Sequence, residues 1–133
     1  MNLNHITLVV SNRERSKAFY TALGLKQLVD TPPRYAHFVL PAGDATLSVE
    51  VDAAVTGTPG AVQVFFECEN VDDAYAAALA NGIEFYQEPT DMFYLWREAR
   101  LRDPDGHDLR LYTQTEPNVR LDPPWKIPPR SGE

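Results

Sequence analysis

The chain has 133 residues, of which 44% are apolar and 23% charged, with a formal net charge of −7 and a single cysteine, Cys68. That length suits one domain able to bury its own core, and a lone cysteine allows no intrachain disulfide, as expected of a reducing cytoplasm. Acidity without Lys/Arg clusters argues against nucleic acid as a partner, and no apolar run approaches the roughly 18 residues of a membrane-spanning helix.

No basic, apolar leader opens the sequence, so a secretory signal is not expected. Leu3 to Val10 is β-branched and apolar, and reads as a strand. Ser11 and Asn12 offer capping oxygens for a helix over Arg13 to Leu23, which Gly24 ends. A short strand at Lys26 to Val29 precedes the break at Pro32-Pro33. Strands at Tyr35 to Leu40 and Thr46 to Val51 flank the turn Pro41-Ala42-Gly43-Asp44. Residues 52 to 60, rich in Thr, Gly and Pro, form a linker.

The order then starts again. Ala61 to Glu69 is a strand, Asn70 a cap, and a helix with Asp72 and Asp73 in its first turn runs to Ala80, with Gly82 as its stop. Glu84 to Tyr86 is short and extended. Tyr94 to Arg102 and Asp108 to Thr113 are strands about the turn Asp103-Pro104-Asp105-Gly106. Superposing the halves carries His5 to Gln63, Asn12 to Asn70, Gly24 to Gly82 and Leu25 to Ile83; in the last strands Leu47 meets Leu109 and Ser48 meets Arg110. A period of roughly 60 residues, with the same order of elements in each copy, indicates internal duplication. The fold expected is α+β: two tandem βαβββ modules, about 3–53 and 61–114, in one domain over 1–115.

From Glu116 to Glu133 the chain holds five prolines and cannot form regular secondary structure. Trp125 and Ile127 lie within it. This tail is expected to pack on the body, with Trp125 as anchor, or on a partner subunit.

The segment N-H-I-T-L-V-V-S, the helical F-Y-x-x-L-G-L from Phe19 to Leu25, and the run R-D-P-D-G-H-D-L-R-L-Y from Arg102 to Tyr112 together resemble the vicinal oxygen chelate superfamily of glyoxalases, bleomycin resistance proteins and ring-cleaving dioxygenases. The resemblance covers residues 3 to about 114. It implies a curved mixed sheet around a pocket and, in many members, a homodimer. In the metalloenzymes of this group a divalent ion (Zn, Ni, Co, Mn or Fe) is held from the first and fourth strands of each module and acts as a Lewis acid.

Carried onto this sequence, those places fall on His5, on Ser48 or Glu50, on Gln63 and on Arg110. His5 is a good ligand, Glu50 a plausible one and Gln63 a weak one. Arg110 cannot ligate a cation, because its guanidinium stays charged. The metal set is thus His5, Glu50 and Gln63 at most, with His37 as a group the family pattern does not include. Arg110 either clamps a ligand's carboxylate or phosphate, or pairs internally with Glu50 or Glu67. Phe65, Tyr94 and Trp96, with His37, Gln63 and Arg110, are the candidate ligand contacts, although aromatic residues on strands would equally build the core.

Three readings follow. One is a glyoxalase/bleomycin-resistance-like protein that binds a small molecule in a metal-free or metal-poor pocket. A second is a metal-dependent lyase, isomerase or dioxygenase. A third is a metal-free enzyme with His5 or Glu50 as base and Arg110 stabilising an oxyanion. Cys68 reads as a buried strand residue rather than a nucleophile.

Overall fold

The structure is a computed structural model that describes residues 1–54, 57 and 60–128. Its elements run β1 (His5–Val10), α1 (Arg13–Leu23), β2 (Lys26–Thr31), β3 (Tyr35–Val39), β4 (Thr46–Val51), β5 (Gln63–Glu67), α2 (Val71–Ala80), β6 (Gln87–Asp91), β7 (Trp96–Arg102) and β8 (Asp108–Gln114). They form two four-stranded sheets of the same topology, β1-β4-β3-β2 and β5-β8-β7-β6, each with one parallel pair and two antiparallel pairs.

The duplication is visible in backbone angles. Asn12 caps α1 at φ −142°, ψ 106°, and Asn70 caps α2 at φ −142°, ψ 109°; each side chain accepts from the backbone N–H three residues on. That bond satisfies one of the donors a helix start leaves open. Gly24 closes α1 at φ 114° and Gly82 follows α2 at φ 85°, both in the left-handed region that a Cβ disfavours.

Strand alternation divides each sheet into two faces. Leu8, Val10, Ala36, Phe38, Leu47 and Val49 of the first module, and Ala99, Leu101, Leu109 and Leu111 of the second, are buried in one apolar cluster with Tyr20, Val71 and Ala78 of the helices. The opposite, concave faces carry the polar and aromatic side chains. The modules are joined across the core by the Tyr20 hydroxyl, which donates to Asp103 at 2.7 Å, and by Asn81, whose amide donates to the Ala22 carbonyl at 3.0 Å.

Three strand boundaries differ from the expectation. The sixth strand is Gln87–Asp91 rather than Glu84 to Tyr86, with a register shift between Gln87 and Thr90 where Pro89 has no N–H to give the ladder. The seventh starts at Trp96, not Tyr94, because Leu95 takes φ 66° in a turn closed by its N–H to the Met92 carbonyl. The fifth is shorter, so half-buried Cys68 lies just past its end; burial pushes its thiol upward, away from a reactive thiolate. Part of the linker, residues 55, 56, 58 and 59, and the end of the tail, 129–133, lie outside the described residues. In the tail the buried apolar residue is Val119, while Trp125 is 56% exposed and Ile127 84%.

Candidate functional site

The register of the strands arranges the concave faces as rows. In the first module these are His5–Thr46, Thr7–Ser48–His37 and Val9–Glu50–Tyr35. In the second they are Gln63–Asp108–Arg102, Phe65–Arg110–Arg100 and Glu67–Tyr112–Glu98. The rows Thr7–Ser48–His37 and Phe65–Arg110–Arg100 occupy equivalent places, one neutral and the other with two cations.

On the first module His5 is held at both nitrogens. Its Nδ1 lies 2.6 Å from the Thr46 hydroxyl and its Nε2 3.1 Å from the fully buried Ser48 hydroxyl, which is 2.7 Å from that of Thr7. The His37 ring lies 5.0 Å from the His5 ring, with its Nδ1 3.1 Å from the Tyr35 hydroxyl and its Nε2 buried without a partner. Glu50 shares this face but extends beyond Ser48, opposite Tyr35.

On the second module the centre is Glu98. It is fully buried, accepts from Arg100 Nε at 2.7 Å and from Arg110 at 3.3 Å, and accepts a short hydrogen bond from the Tyr94 hydroxyl. Arg110 also donates to Asp108 at 3.2 Å, and Asp108 accepts from the Tyr86 hydroxyl at 2.7 Å. Burial first, and then these carboxylate partners, hold both tyrosine hydroxyls above their ordinary range, so they remain donors. The partner of Arg110 is therefore Glu98 with Asp108, and not the expected Glu50 or Glu67; Glu67 instead accepts from Gln114 at 2.7 Å. Glu98 could have been found from sequence by its position two residues beyond Trp96 on the same strand face.

Aromatic rings complete this face. Trp96 and Tyr112 stack at 4.1 Å, Phe65 meets Trp96 edge-on at 5.5 Å, and Tyr94 meets Trp96 at 5.7 Å. The Arg110 guanidinium lies 5.5 Å from the Phe65 ring centre. Phe65, 37% exposed, is also part of the wall of the largest cavity among the described residues.

That cavity, of about 1120 Å³, runs between the outer edges of β1 and β5. Each of these strands pairs on one side only, and among the described residues no backbone hydrogen bond links them. His5, Thr7 and Thr46 line it from one module and Gln63, Val64 and Phe65 from the other; His107 closes one end by donating from Nε2 to the Val9 carbonyl at 2.9 Å. It gathers His5, Gln63 and Phe65 from the candidate residues. Glu50, His37, Tyr94, Trp96 and Arg110 lie outside its wall, the last two behind Phe65.

A divalent metal does not fit this donor set. Both nitrogens of His5 are taken by hydroxyls, Ser48 is a poor ligand, and the fourth place holds a guanidinium already paired with two carboxylates. Among the described residues no three His, Cys, Asp or Glu side chains group as ligands would.

A model of the Glyoxalase/Bleomycin resistance protein/Dioxygenase superfamily matches residues 2–111. Among solved structures the chain is similar to a glyoxalase/bleomycin resistance protein/dioxygenase from Nocardioides, at 25% identity and a TM-score of 0.72, covering 88% of this chain and 85% of that one. It is similar in fold to TnmS3, an antibiotic binding protein from Streptomyces, at 22% identity and a TM-score of 0.71 over 86% and 96% of the two chains. The same holds for a lactoylglutathione lyase from Agrobacterium tumefaciens, at 15% identity and a TM-score of 0.68 over 86% and 94%. No curated protein matches. With two βαβββ modules in tandem and a family match over most of its length, the chain belongs to the glyoxalase/bleomycin resistance protein/dioxygenase superfamily.

Proposed function

We propose that this protein binds a small planar molecule in the cleft between β1 and β5, without a metal. The observation that carries this reading is the pairing of Arg110 with Glu98 and Asp108, which puts an internally satisfied cation where the metalloenzymes place a ligand. A cavity of about 1120 Å³ with Phe65 in its wall, backed by Trp96 and Tyr112, suits a flat, largely apolar ligand. The likeness in fold to an antibiotic binding protein is in keeping with it. We take the protein to be a cytoplasmic homodimer, its exposed Trp125 and Ile127 available to a second copy. Among the described residues no helix is long and apolar enough to cross a membrane.

The second reading, a metal-dependent lyase, isomerase or dioxygenase, is favoured by His5 at the family's first ligand place. Elemental analysis after incubation with Ni, Co, Mn, Fe(II) or Zn and desalting separates the two. Metal well below one equivalent is expected. One equivalent, lost in His5→Ala, would overturn the metal-free reading. In parallel, neutral planar aromatics titrated into Trp125→Phe, which leaves Trp96 as the sole tryptophan, are expected to quench its fluorescence.

A further inference from the structure

The concave face of the second module holds more positive charge than its own carboxylates match. Arg100, Arg102 and Arg110 share it with Glu98 and Asp108; towards its far end Glu67 is offset by Arg120, which lies within electrostatic reach of Tyr112. Four guanidiniums thus meet three carboxylates, in a chain whose net charge is −7. The mismatch is local. Two arginines divide the single carboxylate of Glu98, and Asp108 divides itself between Arg110 and Tyr86. Arg110 Nε is buried and has no acceptor. A buried donor without a partner costs about 1–3 kcal/mol, more when charged, so a site built this way is short of one anionic acceptor.

The geometry says where that acceptor would come from. Phe65, Arg110 and Arg100 stand side by side across three neighbouring strands. Phe65 belongs to the cleft wall, and the Arg100 side chain, 21% exposed, is the more accessible cation behind it. The spacing of adjacent strands, about 4.8 Å, sets a ring against Phe65 one to two strand widths from a group held by the guanidiniums. Glu98 does not repel such a group, because Tyr94, Arg100 and Arg110 already donate to it.

We propose that this row is an anion site and that the cleft's ligand is a planar aromatic carboxylate. Its ring lies against Phe65 and Trp96, and its carboxylate is received first by Arg100 and then by Arg110. Bidentate guanidinium pairing is the chemistry that selects a carboxylate over a neutral isostere. The inference rests on the small-molecule reading above, and one comparison separates the failure of either.

Isothermal titration calorimetry of the full chain with 2-naphthoate and with 2-naphthamide isolates the charge, since the two share ring and shape. The naphthoate is expected to bind at least tenfold tighter, with an advantage that shrinks as salt is raised; that arm uses the unmodified protein and needs no variant to fold. In Arg100→Gln the naphthoate-to-naphthamide ratio is expected to fall towards one, and in Arg100→Lys, which keeps the charge but not the fork, to be intermediate. Equal binding of both compounds to the unmodified protein would overturn the anion site while leaving the planar-ligand reading intact. Binding of neither would overturn both. An advantage that survives unchanged in Arg100→Gln would remove Arg100 from the site and with it this proposal.

Discussion

Arg110 and Glu98 face each other from neighbouring strands with 3.3 Å between guanidinium nitrogen and carboxylate oxygen, and Glu98 is fully buried. Glu98 answers three donors at once, so its charge organises the whole concave face of the second module. Glu98→Gln keeps the shape but leaves two guanidiniums without their shared anion. Breaking a buried pair from one side typically costs about 3–5 kcal/mol, and a loss of about that size is expected in urea denaturation. A change below about 1 kcal/mol would mean that the pair is solvated.

Tyr20 ties the modules together. It is fully buried on α1, and its hydroxyl donates to Asp103 in the β7–β8 turn. Tyr20→Phe is expected to cost about 1.5–3 kcal/mol, the range for a buried hydrogen bond to a charged group.

The same contact fixes the alkaline limit of stability. Burial first, and then the charge of Asp103, push the Tyr20 hydroxyl far above its ordinary value of 10.0. Its contribution is therefore complete below pH 10 and is lost as pH rises further, because the unfolded chain then releases a proton that the native state keeps. Stability should fall by up to ~1.4 kcal/mol per pH unit on account of this group. Denaturation midpoints between pH 9 and 11 are expected to fall less steeply in Tyr20→Phe than in the parent.

Asn12 and Asn70 hold the same backbone angles and make the same capping bond, so they should be worth the same. Asn12→Ala and Asn70→Ala are each expected to cost about 1 kcal/mol. Distant sites add, so the double variant should lose about 2 kcal/mol. A marked inequality would show that one helix start is supported by contacts other than its cap.

In the tail, Val119 and Trp125 should separate cleanly. Val119→Ala removes two buried methyl groups and is expected to cost about 1.5 kcal/mol. Trp125→Ala, at a residue 56% exposed, should stay within about 0.5 kcal/mol for the isolated subunit. If the tail crosses to a second copy, the same change should raise the dimer dissociation constant by at least tenfold in sedimentation equilibrium.

Much of the fold was legible because local chemistry repeats. Asn12 and Asn70 announce helix starts and Gly24 and Gly82 helix stops at matching places in the two halves, and neither signal depends on tertiary context. What escaped was conformational and long-range. Leu95 takes a left-handed angle that no leucine advertises, so the aromatic run around it read as continuous strand. Pro89 moved the sixth strand because a ladder can shift around a missing donor. At the candidate site, Arg110 was recognisable as the wrong residue for a metal, but its partner was not. Glu50, Glu67 and Glu98 all lie on strands, and only the register of β7 against β8 selects Glu98. The hydroxyls around His5 were equally hidden, since Thr46 and Ser48 reach it through a parallel pairing some forty residues away in sequence.

β1 and β5 confront each other without a ladder between them, so nothing along their length sets the gap. Its width is fixed at the periphery, by His107 on the Val9 carbonyl, Tyr20 on Asp103 and Asn81 on the Ala22 carbonyl. Each half keeps every backbone bond of its own sheet whatever the separation. The molecule is thus a caliper, whose jaws adjust to guests of different thickness by flexing a few side-chain struts. Selection along the gap falls to chemistry at its walls rather than to a fixed aperture.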